Sequence, residues 1–250
     1  MKIQAETIKA VLWDKDGTLL DNFSVWIRRE RSLLETLCTD LEITENLRSD
    51  AVESGLVAIG IHGGRVDPHG ELAGGTEASI CDAMAEALSG FARVPEPEDF
   101  RRLVNGHLHE ILACDTDPPP LRIGVTDALT AARNRGLPQG LATSDSRKSA
   151  VAEIAPYGLA EFFSYFSFGD EALRPKPDPW CILEFSRITG IPAGSIIFVG
   201  DSPVDEATAK AAGAGFCAVL GGAGGRGDFS PETLIAAEPE ELVSLLAGKI

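Results

Sequence analysis

A short apolar run from Ile8 to Trp13 stops at two acids one residue apart, Asp14 and Asp16, with Gly17 directly behind them. No other stretch constrains the fold as much. A run of this length and composition reads as a buried strand. Such a strand holds Asp14 at its carboxyl end, where open α/β sheets bind ligands. Asp16 lies just past the strand and reaches the same space without sharing the same role. Gly17 allows a turn that a side chain would resist.

From Ser24 the pattern turns helical. Ser24 is expected to cap a helix carrying Trp26, Leu33, Leu34, Leu37 and Leu41 on one side, with Arg28, Arg29 and Arg31 on others. Further helices are expected over Asn46 to Ile59, after Thr76 as cap, and over Asp99 to Ala113, with Pro95 and Pro97 as breakers. A glycine-rich loop, Gly60 to Gly70, carries His62, Arg65 and His69. Asp115-Thr116-Asp117-Pro118-Pro119-Pro120 reads as a stiff linker. About a hundred residues after the first strand are thus helical with no strand alternation, which predicts a helical module inserted into an α/β domain.

After the prolines, helix and strand alternate. Strands are expected near Gln139–Thr143, Tyr165–Phe168, Ile196–Val199 and Gly215–Val219. Helices are expected near Thr126–Arg135, Arg147–Ala155, from Pro179 with Asp178 as cap, and over Asp205–Ala212. The tail from Pro231 is expected to add a helical turn and a last helix from Pro239. Short connections between alternating elements imply a parallel sheet.

Four strand ends then carry polar residues of particular kinds. They are Asp14 and Asp16; Thr143-Ser144-Asp145; Arg174-Pro175-Lys176-Pro177-Asp178-Pro179; and Gly200-Asp201-Ser202-Pro203-Val204-Asp205. In a parallel sheet these ends lie along one edge, so residues far apart in sequence converge there. By residue type alone, Asp201 also fits a turn residue capping the next helix, Thr143 to Asp145 fit a helix cap, and Lys176 fits a solvated loop lysine.

Together the four patterns resemble motifs one to four of the haloacid dehalogenase-like superfamily, in order, over Ile8 to Leu20 and about Leu121 to Val219. The resemblance is most specific to the phosphoglycolate phosphatase-like subgroup with a type-one helical cap. It implies a three-layer Rossmann-like α/β core with a parallel sheet over residues 1–20 and 121–250, and a helical cap over 21–120. It also implies a Mg²⁺-dependent phosphatase of small phosphorylated metabolites, with a phosphoglycolate-like compound or a sugar phosphate as substrate. In that reading Asp14 is the nucleophile and Asp16 the acid/base. Thr143, Ser144 and Lys176 hold the phosphate. The Asp14 carboxylate, the Asp16 carbonyl and the Asp201 carboxylate ligate the metal. Asp205 holds a metal-bound water or fixes its loop. A flexible connection near Asp21–Phe23 and the segment Pro118–Pro120 are the expected hinges of the cap.

Asp16 narrows the branch. Dehalogenases and phosphonatases of that superfamily lack this second acid, and the phosphonatases use a cap lysine, whereas residues 21–117 here contain none. A sugar phosphomutase of the β-phosphoglucomutase kind keeps the second acid and stands as an alternative. A binding protein on the same fold is a further one. In the cap, Arg28, Arg29 and Arg65 are candidates to meet a substrate carboxylate or second phosphate, and His62 and His69 to enter the site. Each of these equally fits a solvated surface residue, and His107 and His109 fit that more closely.

The net charge of −16 argues against nucleic acid or an anionic membrane as partner. It also means that a phosphate site works against an unfavourable overall field, which a divalent cation would relieve. Five scattered cysteines without a CxxC pattern fit a reducing compartment and read as small core residues. Met1 to Glu6 shows no signal-peptide apolar region and no run reaches membrane-spanning length, so a cytoplasmic protein is expected; a monomer or homodimer is expected, a choice these features do not decide.

Overall fold

A computed structural model describes residues 7–21, 23–114 and 118–247. Three expected features touch positions outside the described residues: the amino terminus (Met1 to Glu6), Asn22 of the expected hinge, and Asp115 to Asp117 of the expected linker. The chain divides into two compact units, Met1–Asn22 with Pro119–Ile250, and Phe23–Pro118.

In chain order, β1 (Ala10–Trp13) is followed by α1 (Phe23–Asp40), α2 (Glu45–Ala58), β2 (Ile61–His62), β3 (Arg65–Val66), α3 (Glu71–Gly74), α4 (Glu77–Ser89) and α5 (Pro97–Cys114). Then come α6 (Val125–Asn134), β4 (Gln139–Ala142), α7 (Arg147–Ile154), β5 (Tyr165–Ser167), α8 (Trp180–Thr189), β6 (Ile196–Gly200), α9 (Pro203–Ala212), β7 (Gly215–Val219), β8 (Leu234–Ala236) and α10 (Leu242–Leu246).

The first unit is a six-stranded sheet in the order β5-β4-β1-β6-β7-β8, with every pairing parallel. Helices cover both faces, which is why β1 is apolar on successive residues. Val11 and Trp13 pack with Val125, Leu129, Leu242 and Leu246 of α6 and α10. Ala10 and Leu12 face the other way, into a cluster with Cys181, Ile182, Phe185 and Ala209 of α8 and α9. A polar pair in this core is satisfied: Trp13 Nε1 donates to Gln139 Oε1 at 3.1 Å, and Gln139 Nε2 donates to the Leu129 carbonyl at 2.9 Å. From β1 the chain adds β4 and β5 on one side, then β6, β7 and β8 on the other. The direction of winding therefore reverses at β1, and Asp14 stands at the carboxyl side of that switch point.

The second unit is a helical bundle. Leu33, Leu34 and Leu37 of α1, Val52 and Leu56 of α2, Met84 and Leu88 of α4, and Phe100 and Val104 of α5 form its core. Gly55 lets α1 and α2 approach closely, since an added methyl would stand 2.5 Å from Leu34 Cδ2. Thr76 caps α4 as the sequence suggests, in a reciprocal box with Ser79: Ser79 N–H donates to Thr76 Oγ1 at 3.2 Å and Thr76 N–H to Ser79 Oγ at 2.9 Å.

Several expectations need correction. Ser24 lies inside α1, which begins at Phe23, and does not cap it. Pro97 opens α5 rather than preceding it, because a proline fits the first turn, where its missing N–H has no partner to lose. The glycine-rich loop contains a two-residue hairpin, with Ile61 opposite Val66. In the tail, Leu234–Ala236 forms the edge strand β8 against Cys217–Val219 instead of a helical turn. Three residues are too few to show a period. Pro179, not Asp178, is the residue flanking α8, although the Asp178 carboxylate still accepts the Trp180 N–H at 3.0 Å. Cys114 is exposed, unlike the other four cysteines. No helix among the described residues is long and apolar enough to cross a membrane.

Arg122 ties the far edge of the sheet to the chain segment that re-enters the first unit. Its buried guanidinium donates to the Leu220 carbonyl at 2.6 Å, the Ala237 carbonyl at 3.2 Å and Glu238 Oε2 at 3.1 Å. Arg122→Ala leaves these acceptors unpaired. It is expected to lower unfolding free energy by about 3 kcal/mol, measured by urea denaturation.

Candidate active site

Trp13 lies opposite Val199 on β6, and the Asp14 N–H donates to the Val199 carbonyl at 2.8 Å. Asp14 thereby continues the β1–β6 ladder to the rim of the sheet, beside Gly200 and Asp201. Lys176, from the loop between β5 and α8, reaches the same place. Its ammonium donates to Asp14 Oδ1 and to Asp205 Oδ1, each at 2.7 Å. Carboxylate oxygens of Asp14, Asp201 and Asp205 all lie within 4.8 Å of one another, and all three residues are buried. The structure thus brings together Asp14, Lys176, Asp201 and Asp205. The Lys176 side chain is only 9% exposed rather than solvated.

The local chemistry of α9 explains Asp205. Ser202 caps the helix in a reciprocal box: its Oγ accepts the Asp205 N–H at 3.2 Å and donates to Asp205 Oδ2 at 2.7 Å. One carboxylate oxygen is therefore spent on the cap and the other on Lys176. Capping falls to Ser202, so Asp201 is left to face the cluster. Asp201 Oδ2 accepts the Ala223 N–H at 2.6 Å, and its carbonyl accepts the Gly224 N–H at 2.9 Å. Two glycines make room. A methyl on Gly200 would stand 2.6 Å from Asp205 Cβ, and one on Gly222 would run into the Asp201 carboxylate.

Asp16 sits in a second cluster. The Lys15 side chain is fully buried, and its ammonium pairs with Asp16 Oδ1 at 2.6 Å, Asp145 Oδ2 at 3.0 Å and the Glu153 carboxylate of α7. Oxygens of Asp16, Asp145 and Glu153 also lie within 4.8 Å of one another. Asp145 does not cap α7; Ser146 does, by accepting the Ser149 N–H. Thr143 is buried at the end of β4, where register puts it level with Lys15. Its Oγ1 accepts the Asp145 N–H at 3.1 Å, which leaves the hydroxyl proton to donate elsewhere. Ser144 comes next in the same loop, held close to Gly169, where any side chain would overlap the Ser144 backbone.

Burial dominates the electrostatics. It pushes Asp14 up to about 7, against the lowering pull of Lys176 and with the raising push of Asp205. Burial pushes Asp16 up to about 8, opposed by Lys15 and reinforced by Asp145 and Glu153. Asp201 is raised well above the usual carboxylate range by burial and then by Asp14 and Asp205. Burial lowers the Lys176 and Lys15 ammonium values, but the carboxylates around each outweigh it and hold both lysines charged.

In the helical unit, Arg28, Arg65, His62, His69 and His109 are exposed. His107 pairs with Asp40 at 2.6 Å. Arg29 is buried, not solvated, with its guanidinium 5.0 Å from the centre of the Trp26 ring.

Sequence reasoning overlooked the side chain of Lys15, the roles of Asp145 and Glu153, and the loop Gly221–Gly225 that wraps Asp201. A glycine cluster directly after a strand was the available signal for the loop. A lysine inside an apolar-to-acid transition was the signal for Lys15.

Residues 8–213 match the family model described as haloacid dehalogenase-like hydrolase. A phosphoglycolate phosphatase of Pseudomonas fluorescens is 28% identical over 207 residues, which is 82% of this chain and 66% of that protein. The chain thus spans just under two thirds of that relative's length. A phosphoglycolate phosphatase of Neisseria gonorrhoeae is 28% identical over 250 residues, covering 96% of this chain and 94% of that one. Among solved structures, a predicted phosphoglycolate phosphatase from Haemophilus somnus superposes with a TM-score of 0.73 at 18% identity, covering 96% of this chain and 98% of that one. At that identity the likeness speaks for the fold.

A carboxyl that holds its proton more tightly when folded loses stability as pH rises from its ordinary value through its raised one. For Asp14 that window runs from 3.8 to about 7, and for Asp16 from 3.8 to about 8. In EDTA, these two groups are expected to lower the urea midpoint progressively as pH rises through that window. The decline is expected to be shallower in Asp14→Asn, compared across the same pH series.

Proposed function

The chain belongs to the haloacid dehalogenase-like hydrolases, and from that premise we propose that it is a Mg²⁺-dependent phosphatase acting on small phosphorylated metabolites, phosphoglycolate-like or sugar phosphates, through a phosphorylated Asp14. The observation that carries this reading is the Lys176 ammonium set between Asp14 and Asp205, within a buried cluster completed by Asp201. The names of the curated relatives point to the same substrate class.

The donor set suits a hard divalent cation. Asp14, Asp201 and Asp205 offer only oxygen, and Lys176 leaves most of their charge uncompensated when all three are ionised. Asp14, Asp201 and the Asp16 carbonyl would hold Mg²⁺, with Asp205 behind them. Bound there, the ion supplies charge neutralisation and alignment of two anionic groups that otherwise repel.

The residues of the chain divide the remaining work. An oxygen of Asp14 attacks phosphorus as the ester P–O bond breaks, and the proton of the Asp16 carboxyl passes to the departing alkoxide. With its value raised to about 8, Asp16 holds that proton at neutral pH. Water then attacks the phosphorus of the aspartyl phosphate, gives a proton back to Asp16, and frees Asp14 and inorganic phosphate. Lys176 keeps Asp14 oriented, and Thr143 and the Ser144 backbone N–H donate to phosphate oxygens. The helical unit serves as the cap that selects the substrate, with exposed Arg28 and Arg65 as its candidate anion contacts.

A phosphate-release assay over a panel of phosphomonoesters with Mg²⁺ tests the reading. Turnover is expected with small phosphorylated acids or sugars. It should be lost on adding EDTA, abolished in Asp14→Asn, and reduced about 10²- to 10⁴-fold in Asp16→Asn. Isomerisation of a sugar phosphate without phosphate release would point to the mutase alternative instead, and no turnover of any phosphomonoester would end the proposal.

A further inference from the structure

Lys15 and Asp16 are neighbours in sequence, and side chains at adjacent positions ordinarily point apart. Here the chain turns sharply directly after them. The Lys15 carbonyl accepts the N–H groups of both Leu19 and Leu20, at 2.9 and 3.0 Å, and Gly17 takes a φ of 73°. The turn brings the Lys15 ammonium to 2.6 Å from Asp16 Oδ1. The same ammonium pairs with Asp145, in the loop after β4, and with Glu153 on α7.

This cluster has features that plain structural packing does not require. The Lys15 side chain has no exposure, and Glu153 sits buried on a helix that carries Ala150 and Ile154 on its inner side. Lysine has three N–H donors, and three carboxylates face them. The ammonium hydrogen-bonds Asp16 Oδ1 and the Glu153 carboxylate and lies 3.0 Å from Asp145 Oδ2, so its charge is engaged by the protein's own carboxylates. The ammonium also occupies the middle of the acidic group Asp16, Asp145 and Glu153, which therefore holds a fixed organic cation rather than a second metal ion.

We propose that Lys15, anchored from behind by Glu153 and Asp145, is a positioning residue for Asp16: it grips Oδ1 and so sets the direction in which the carboxyl meets the ester oxygen. The proposal rests on the reading of Asp16 as acid and base. Glu153 and Asp145 fix the ammonium on two sides, and the third side fixes the carboxylate. In this arrangement the sheet rim, through α7 and the loop after β4, sets the aim of a group that belongs to the loop after β1.

Positioning and mere stability separate by leaving group. Departure of p-nitrophenolate needs no proton, whereas departure of an alkoxide does. Single-turnover phosphoryl transfer with Mg²⁺ would be compared for p-nitrophenyl phosphate and an alkyl phosphate in Lys15→Met, Glu153→Gln, Asp16→Asn and Lys15→Met with Asp16→Asn. Lys15→Met is expected to slow the alkyl ester about 100-fold and the nitrophenyl ester less than about tenfold. Glu153→Gln, which keeps the lysine and nearly the same shape, is expected to show the same selectivity at smaller size, and keeps the test alive if Lys15→Met does not fold. The double variant should be no slower than Asp16→Asn alone, because both changes remove one function. Equal slowing of both esters, or additive losses in the double variant, would overturn the role of Lys15 while leaving the phosphatase reading standing. A wild-type protein that transfers neither phosphoryl group would overturn the phosphatase reading and this proposal with it.

Discussion

Like charges held side by side, buried or half-buried, govern this molecule. Asp14, Asp201 and Asp205 form one group of carboxylates at the rim of the sheet, and Asp16, Asp145 and Glu153 another. Carboxylates at such separations raise each other's proton affinity, and taking them out of water adds to the effect. Two lysines, one buried and one largely so, make the arrangement tenable. Lys176 joins Asp14 to Asp205, and Lys15 gathers the other three. The two ammonium groups keep the two acids of the first loop apart in function: Asp14 faces one lysine and Asp16 the other.

The fold delivers these groups from separate parts of the chain. β1 and β6 lie side by side, so the residues after them meet. β4 flanks β1 on its other side and brings Thr143 and Asp145 level with the same loop. Helix caps do double duty: Ser202 takes over the cap of α9 with Asp205, which leaves Asp201 free for the cluster. Gly200 and Gly222 are needed because the carboxylates fill the space their side chains would occupy. Removing water from this rim raises the value of each remaining charge–charge contact, which is why a few displaced atoms here matter more than on the surface.

Much of this was legible along the chain because it obeys local rules. A continuous apolar run means a strand covered on both faces, and β1 is one. The start of α4 followed its cap, Thr76. Elements with little local signal were missed. β8 has three residues and exists only because β7 offers an edge to pair with. The hairpin around Gly63 and Gly64 hides in a stretch that composition marks simply as loop. Arg29 looked like a surface arginine, since a helical pattern does not tell a solvated cation from one laid on Trp26.

The sequence alone determined the α/β alternation, the interruption by a helical segment, and the acids, threonine and lysine that stand at strand ends. These come from periodicity and turn chemistry, which act over a few residues. Only the tertiary structure decided which charge meets which. Asp16 and Lys15 are adjacent in the chain, yet their partners Asp145 and Glu153 come from more than a hundred residues away, and Lys176 reaches Asp14 across a similar span. Ion pairing depends on distances of about 3 Å and on burial, and both are set by how strands register and helices pack rather than by neighbouring residues.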